Sequence, residues 1–189
     1  MAVVHLRTPL TEDAVMGLRA GDRVLFSGRL LTARDAAHRR MVEALDRGEP
    51  LPVSLQDEVI YYVGPTPPKP GQVIGSAGPT TSGRMDRYTP RLLALGLRGM
   101  IGKGPRNDEV KAALQTYRGV YFAAVGGAAA LLAKCVRAVR LVAYDDLGTE
   151  AIRQLEVENM PLVVINDVYG NDWYQLSRQQ YLRQSATDS

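Results

Sequence analysis

Thiols are almost missing from this sequence: of its 189 residues one, Cys135, is a cysteine. No internal disulfide framework can be built from it, and such usage suits a reducing, cytoplasmic setting. Long apolar runs are missing as well; none approaches the roughly 20 residues that span a bilayer. The N-terminus, Met1-Ala2-Val3-Val4-His5-Leu6-Arg7, lacks the charged start and long apolar core of a signal peptide. Basic residues never gather into a block or tail. Twenty-three Lys and Arg stand against 20 Asp and Glu, a formal net charge of +3, so the isoelectric point of 9.1 rests on a small excess. With no clustered basic face and no interleaved aromatics, a nucleic-acid partner finds no support. Neither GxGxxG nor the GxxxxGK[ST] spacing occurs, which argues against dinucleotides and ATP. There is no internal repeat.

What remains is an ordinary globular composition, 46% apolar and 23% charged, in a chain long enough to bury a core as one domain. Residues 5–20 read as a lead-in with a turn and cap at Thr8-Pro9-Leu10-Thr11 and a short helix through Leu18. A strand from Arg23 to Gly28 bends at that glycine and extends the same sheet to Thr32. Thr32 or Asp35 caps a helix in which Ala37, Met41, Val42 and Leu45 share a face, stopped by Gly48-Glu49-Pro50. Strands are expected at Glu58–Val63, Gln72–Ile74, Arg98–Ile101, Gly119–Val125, Val136–Ala143 and Pro161–Asp167. Helices are expected from Met85 to about Leu95, from Asn107 or Asp108 through Leu114, from Ala128 to about Cys135 and from Trp173 to Leu182. Four prolines between Pro65 and Pro70 stiffen a surface connection. Residues 151–160 fit neither period cleanly, and 184–189 read as a disordered tail.

The chain is arranged around Gly75-Ser76-Ala77-Gly78-Pro79-Thr80-Thr81-Ser82-Gly83-Arg84-Met85-Asp86. Its glycines and proline make a tight turn whose backbone N–H groups can face outward; three hydroxyls follow, then a guanidinium one turn past Thr80. Such a set is a seat for a carboxylate or phosphate. It fits equally a capped turn with a surface arginine, and composition leaves both open. Gly102-Lys103-Gly104-Pro105 repeats the theme, with room for an anion beside an ammonium, though a lone lysine there also fits a plain surface position. Arg34 sits at a helix entrance with His38 one turn on, a pair that an ordinary helix would leave in solvent. Asp145, Asp146 and Glu150 form an acidic loop without the imidazoles or spacing of a metal site. Cys135 lies in an apolar context and reads as an inert core thiol.

The wording of these stretches is more specific than their composition. Thr32–His38 (TARDAAH), 61–86 (YYVGPTPPKPGQVIGSAGPTTSGRMD), 101–104 (IGKG), 126–131 (GGAAAL), 147–152 (LGTEAI) and 161–172 (PLVVINDVYGND) resemble the C-terminal domain, or separate β subunit, of iron–sulfur class I fumarases and L-tartrate dehydratases. The resemblance implies an α/β fold, a swivelling β/β/α-type domain with a mixed sheet and flanking helices. It implies a hydro-lyase that interconverts malate and fumarate, with tartrate dehydration as the alternative. By the same resemblance Thr80 transfers the proton with Arg84 beside it, and Arg34, Lys103, Gly78, Thr81 and His38 bind the C4-dicarboxylate. One cysteine cannot ligate an iron–sulfur cluster, which normally takes three or four thiolates. The resemblance therefore implies a partner α subunit with three cluster cysteines holding a 4Fe–4S cluster, in a homodimer or heterotetramer, and the chain is expected to lack that α portion. A stand-alone anion-binding module without catalysis is the reading from another class.

Overall fold

The computed structural model describes residues 2–124 and 129–187. Seven strands form one mixed sheet in the order β1-β2-β3-β4-β5-β7-β6, and an additional β2–β7 pairing closes it on itself. The strands are β1 (Val3–Arg7), β2 (Arg23–Thr32), β3 (Val59–Tyr61), β4 (Gly99–Gly102), β5 (Val120–Ala124), β6 (Val136–Ala143) and β7 (Ile152–Asn166). β2 through β5 run parallel, as does β1 beside β2, while β7 is antiparallel to β2, β5 and β6. Five strands thus make a ring, with β1 and β6 attached outside it.

The two long strands close the ring because each changes neighbours part-way. β2 pairs with β1 up to Ser27 and with β3 from Leu31. The bulge between Phe26 and Gly28 falls at the switch. Gly28 has φ +106, and a Cβ there would lie 2.3 Å from Thr8 Oγ1, so only glycine fits that corner. β7 keeps β2 along one edge, while its other edge passes from β6, which ends at Val157, to β5, which begins at Leu162. Pro161 sits in that gap, where its missing N–H breaks no ladder on the second edge. Asn159, with φ +51, supplies the kink.

Alternation with period two sorts the apolar residues onto two faces. Phe26, Leu30, Val59, Tyr61, Ile101, Phe122 and Leu155 fill one core with α1 (Glu12–Met16) and α5 (Ala129–Lys134). Ile60, Tyr62, Met100, Tyr121 and Ile165 face a second core, covered by α2 (Asp35–Asp46), α3 (Thr89–Leu93) and α4 (Asp108–Tyr117). α2 presents Ala37, His38, Met41 and Ala44 to it, the i, i+4, i+7 stripe of an amphipathic helix. α6 (Trp173–Thr187) follows β7.

Several expectations change. The lead-in contains a strand, β1, whose mostly exposed five residues carry too little alternation to announce it. Residues 72–74 are no strand; the loop closes on itself instead, with Thr66 N donating to Ser76 O at 3.1 Å and Ser76 N to Thr66 Oγ1 at 2.8 Å. The helix expected from Met85 is split into a 3-10 turn, Ser82–Met85, and α3, because Pro90 cannot donate back to Asp86. Neither Thr32 nor Asp35 caps α2. Arg34 holds the cap position without a side-chain bond, and the Thr32 hydroxyl is spent on Ala151 O. The uncertain stretch 151–160 is the first half of β7 apart from Ala151. α6 continues past residue 184. The Gly126-Gly127 turn lies outside the described residues.

Candidate functional site

Parallel strands β2, β3 and β4 end side by side, and ligands of α/β sheets gather at such carboxyl ends. Arg34 lies two residues past β2, Tyr62 follows β3, and Lys103 follows β4. The loop after β3 returns to this rim and inserts a short extended piece of itself. Thr80 N donates to Tyr62 O at 2.7 Å, Thr81 forms a parallel bridge with Lys103, and Ser82 N donates to Lys103 O at 2.9 Å. The sheet thereby places Thr80, Thr81 and Lys103 together, by backbone bonds that do not depend on their side chains.

A buried relay underpins the insertion. Ser82 Oγ accepts from Lys103 N at 3.1 Å and lies 2.9 Å from Tyr121 Oη, which donates to Gly104 O at 2.8 Å. A Cβ on Gly102 would stand 1.9 Å from Ser82 Oγ, so the close approach requires glycine. Beneath it Arg106, wholly buried, donates from Nε to Asp86 Oδ1 at 2.6 Å and from Nη2 to Thr89 Oγ1 at 2.8 Å and Tyr62 Oη at 3.2 Å. Its guanidinium lies 5.3 Å and 4.8 Å from the ring centroids of Tyr62 and Tyr121.

Arg84 leaves the 3-10 turn and donates from Nε to Asp35 Oδ1 at 2.8 Å. Arg34 approaches the same carboxylate, Nη2 to Oδ2, at 3.7 Å and Glu150 Oε1 at 3.9 Å. Glu150 also accepts from Ala36 N at 3.3 Å, serving the first turn of α2 from another segment. Arg34, Arg84, Lys103 and Thr80 thereby gather near the carboxyl ends of β2, β3 and β4. Among the described residues the Thr80 hydroxyl, Lys103 Nζ and the terminal nitrogens of Arg84 have no protein hydrogen-bond or ion-pair partner. Their charge and donor capacity are available to an anion.

Of the expected ligands, His38 is buried away from solvent, whereas Gly78 is partly exposed. Gly78 approaches α5, where a Cβ would meet that of Ala129 at 3.1 Å. His38 is wholly buried, with Nδ1 2.8 Å from Arg34 O and its ring against Tyr62 and Tyr88. Burial, joined by the Arg106 cation, pushes His38 down from 6.5 to about 4, against the backbone bond that raises it. The ring is neutral at pH 7, so Nδ1–H donates to the Arg34 carbonyl. Below pH 6.5 the unfolded chain binds a proton the folded chain refuses, so stability falls between about pH 6.5 and 4, by about 3 kcal/mol in all. Above that window the group contributes no pH dependence. His38→Gln is expected to flatten this limb in urea unfolding followed from pH 7.5 to 4.5; an unchanged slope would remove the assignment.

Two apolar clefts, about 490 and 520 Å³, flank the proline-rich loop and share Thr66, Pro67, Val73 and Ile74. Neither is lined by Arg34, Thr80, Arg84 or Lys103. Sequence reasoning missed Asp35, Glu150, Ser82, Asp86 and Arg106 as parts of this arrangement. Asp35 was legible only as a cap, and the Asp86–Arg106 pair spans 20 residues, beyond any local pattern. Asp145 and Asp146 take no part in this arrangement, and Asp146 accepts both bonds of a bidentate contact from Arg40 at 2.7 Å. No described helix is long and apolar enough to cross a membrane.

The chain matches a family model described as "Fumarase C-terminus" over residues 1–177. Among curated proteins, "Fumarate hydratase class I, aerobic" of Salmonella typhimurium is 38% identical over 176 residues, which are 91% of this chain and 30% of that protein. "Fumarate hydratase 2" of Leishmania major is 41% identical over 175 residues, 90% of this chain and 31% of the relative. "Putative L(+)-tartrate dehydratase subunit beta" of Methanocaldococcus jannaschii is 41% identical over 172 residues, 88% of each. The chain thus spans about a third of the length of the fumarate hydratases it matches and nearly all of the tartrate dehydratase subunit.

Proposed function

The chain belongs to the Fumarase C-terminus family, and from that premise we propose that it is the β subunit of a two-subunit hydro-lyase interconverting malate and fumarate. The observation that carries this reading is the rim of β2, β3 and β4, to which the loop after β3 returns and where Thr80, Arg34, Arg84 and Lys103 gather. In this reading a separate partner subunit covers that rim and excludes water from it. That one relative is named as a subunit beta supports the division into two chains.

In this reading the chain supplies fixed charge and a proton-transfer group. Dehydration breaks the C3–H bond of malate, forms the C2=C3 double bond with that electron pair, and expels hydroxide from C2. Negative charge grows on the adjoining carboxylate as the proton leaves, and Arg34, Arg84 and Lys103 stabilise it. The arginines suit the bidentate grip that two substrate carboxylates invite. Thr80 takes the C3 proton as alkoxide and returns it in the hydration direction; the surrounding cations and the exclusion of water make that alkoxide accessible.

A cluster normally takes three or four thiolates, and this sequence has one. Its one thiol, Cys135, lies 3.6 Å from Leu131 O and 3.9 Å from Asn159 O. Burial raises its pKa against the pull of Arg137, and the described residues contain no group of three His, Cys, Asp or Glu fit for a metal. We place the 4Fe–4S cluster on the partner α subunit, and no step above runs through it.

The relative named as a tartrate dehydratase subunit makes tartrate the second substrate to test. An anaerobic assay at the fumarate absorbance, with the chain alone and then with a three-cysteine α partner reconstituted with iron and sulfide, is expected to show activity only in the mixture. L-tartrate run in parallel assigns the substrate. A mixture silent on both, with dicarboxylate binding by the chain alone, would replace this reading with an anion-binding module.

A further inference from the structure

We propose that Asp35 is a positioning residue for the anion site, fixing Arg84 through its Nε so that the terminal nitrogens of the guanidinium are kept for ligand; the inference rests on the hydro-lyase reading above. Arg84 belongs to a 3-10 turn of four residues, and its side chain is 54% exposed. Left to itself, such a side chain samples many rotamers and must be ordered each time a ligand binds. Asp35 removes that freedom from a rigid place, the first residue of the 12-residue α2. It engages Nε at 2.8 Å across 49 residues of sequence, which leaves Nη1 and Nη2 without a protein partner among the described residues. Its second oxygen lies 3.7 Å from Arg34 Nη2, so one carboxylate stands between two arginines brought from different segments.

Other duties for Asp35 are covered elsewhere. It makes no capping bond to α2; the Ala36 N–H in that first turn is served by Glu150. A half-exposed ion pair contributes little to stability, so its loss should be read in ligand binding rather than in unfolding. Because Asp35 acts through Arg84, its effect should vanish once Arg84 is gone.

The test is a double-mutant cycle on the assembled enzyme with malate. Asp35→Asn is expected to lower kcat/KM about tenfold with the melting temperature held. In an Arg84→Met background the same change should add less than about twofold. Asp35→Glu, which keeps the charge on a longer arm, should recover part of the loss. A tenfold effect that persists undiminished in the Arg84→Met background overturns the proposal, and so does a kcat/KM unchanged in Asp35→Asn. A fall in melting temperature that accounts for lost activity would show a structural role instead. Arginine Nε–Hε NMR spectra of the chain alone supply a readout independent of turnover. The Arg84 signal should move in Asp35→Asn, and a signal that stays in place overturns the proposal. An assembled wild-type enzyme silent on malate, fumarate and tartrate defeats the hydro-lyase reading itself, and the arginine spectra then decide Asp35 alone.

Discussion

Thr80→Ala is expected to cut turnover of the assembled enzyme by about 10²- to 10⁴-fold, the range a positioned proton-transfer group contributes, with the fold unaffected. The separation of the two effects follows from how the residue is held. Thr80 is fixed through its main chain, whose N–H donates to Tyr62 O at 2.7 Å, and alanine keeps that bond. The hydroxyl has no protein partner among the described residues, so removing it strands no buried donor or acceptor. Neighbouring Thr81 and Ser82 are fastened to Lys103 by backbone contacts, so the rim should keep its shape. Thr80→Ser, which retains the oxygen, should recover most of the rate. The decisive measurement is fumarate formation from malate carrying deuterium at C3, in wild type and variant under single turnover. A Thr80→Ala enzyme with ordinary turnover would return the proton transfer to the partner subunit.

The largest stability effect is expected at Arg106. Its side chain is fully buried and its main counter-charge, Asp86, is 9% exposed. Asp86 accepts from Arg106 Nε at 2.6 Å and from Asn107 N at 2.7 Å. Arg106→Met keeps much of the volume between Tyr62 and Tyr121 but leaves the carboxylate without its cation. Breaking a buried pair from one side costs about 3–5 kcal/mol, whereas replacing both partners by apolar groups is often near neutral. Urea unfolding should therefore show a large fall for Arg106→Met. The Asp86→Leu/Arg106→Met double variant should lose less than the sum of its singles. Arg106→Lys should fall between, since it keeps the charge and loses the planar fork that reaches Asp86, Thr89 and Tyr62 together. A loss below about 1 kcal/mol for Arg106→Met would mean that the pair contributes no more than an exposed one.

The parts of this structure that were legible in the sequence are those written locally. β2 with its bend at Gly28, β3, β4 and β6, the Asn107 cap of α4, and the proline-rich connection each follow from a few adjacent residues. Asn107 Oδ1 accepts from Val110 N at 2.9 Å, as a cap followed by Asp108 and Glu109 suggests. What escaped depends on distant partners. β1 is a strand because β2 is beside it, and β7 runs through Pro161 because two different strands share its far edge. At the site, the glycines, hydroxyls and arginine of the central stretch read as a tight turn into a helix, suited to an anion or to a plain cap. Its construction was not readable there, because Thr80–Ser82 is no helix entrance but a borrowed piece of sheet fastened to Tyr62 and Lys103. His38 shows the limit of spacing arguments. One turn past Arg34 it reads as a neighbour on the same face, yet the helix stripe of Ala37, Met41 and Ala44 carries it inward.

The double closure of the loop after β3 has a consequence for how this protein tolerates change in length. The two bonds between Thr66 and Ser76 tie the loop at its base, and the bond from Thr80 to Tyr62 ties it again at the sheet. Ile74 is buried in the first core, while residues 67–73 lie outside both ties. Insertions or deletions there alter only a short segment whose ends are already fixed, and the entropy of closing it changes slowly with length. Residues 76–82 have no such freedom, since one residue more or less would shift Thr80 along Tyr62 and take Thr81 out of register with Lys103. Length drift among related chains is therefore expected to gather in the proline-rich arc, with the spacing from Ser76 to Ser82 held constant.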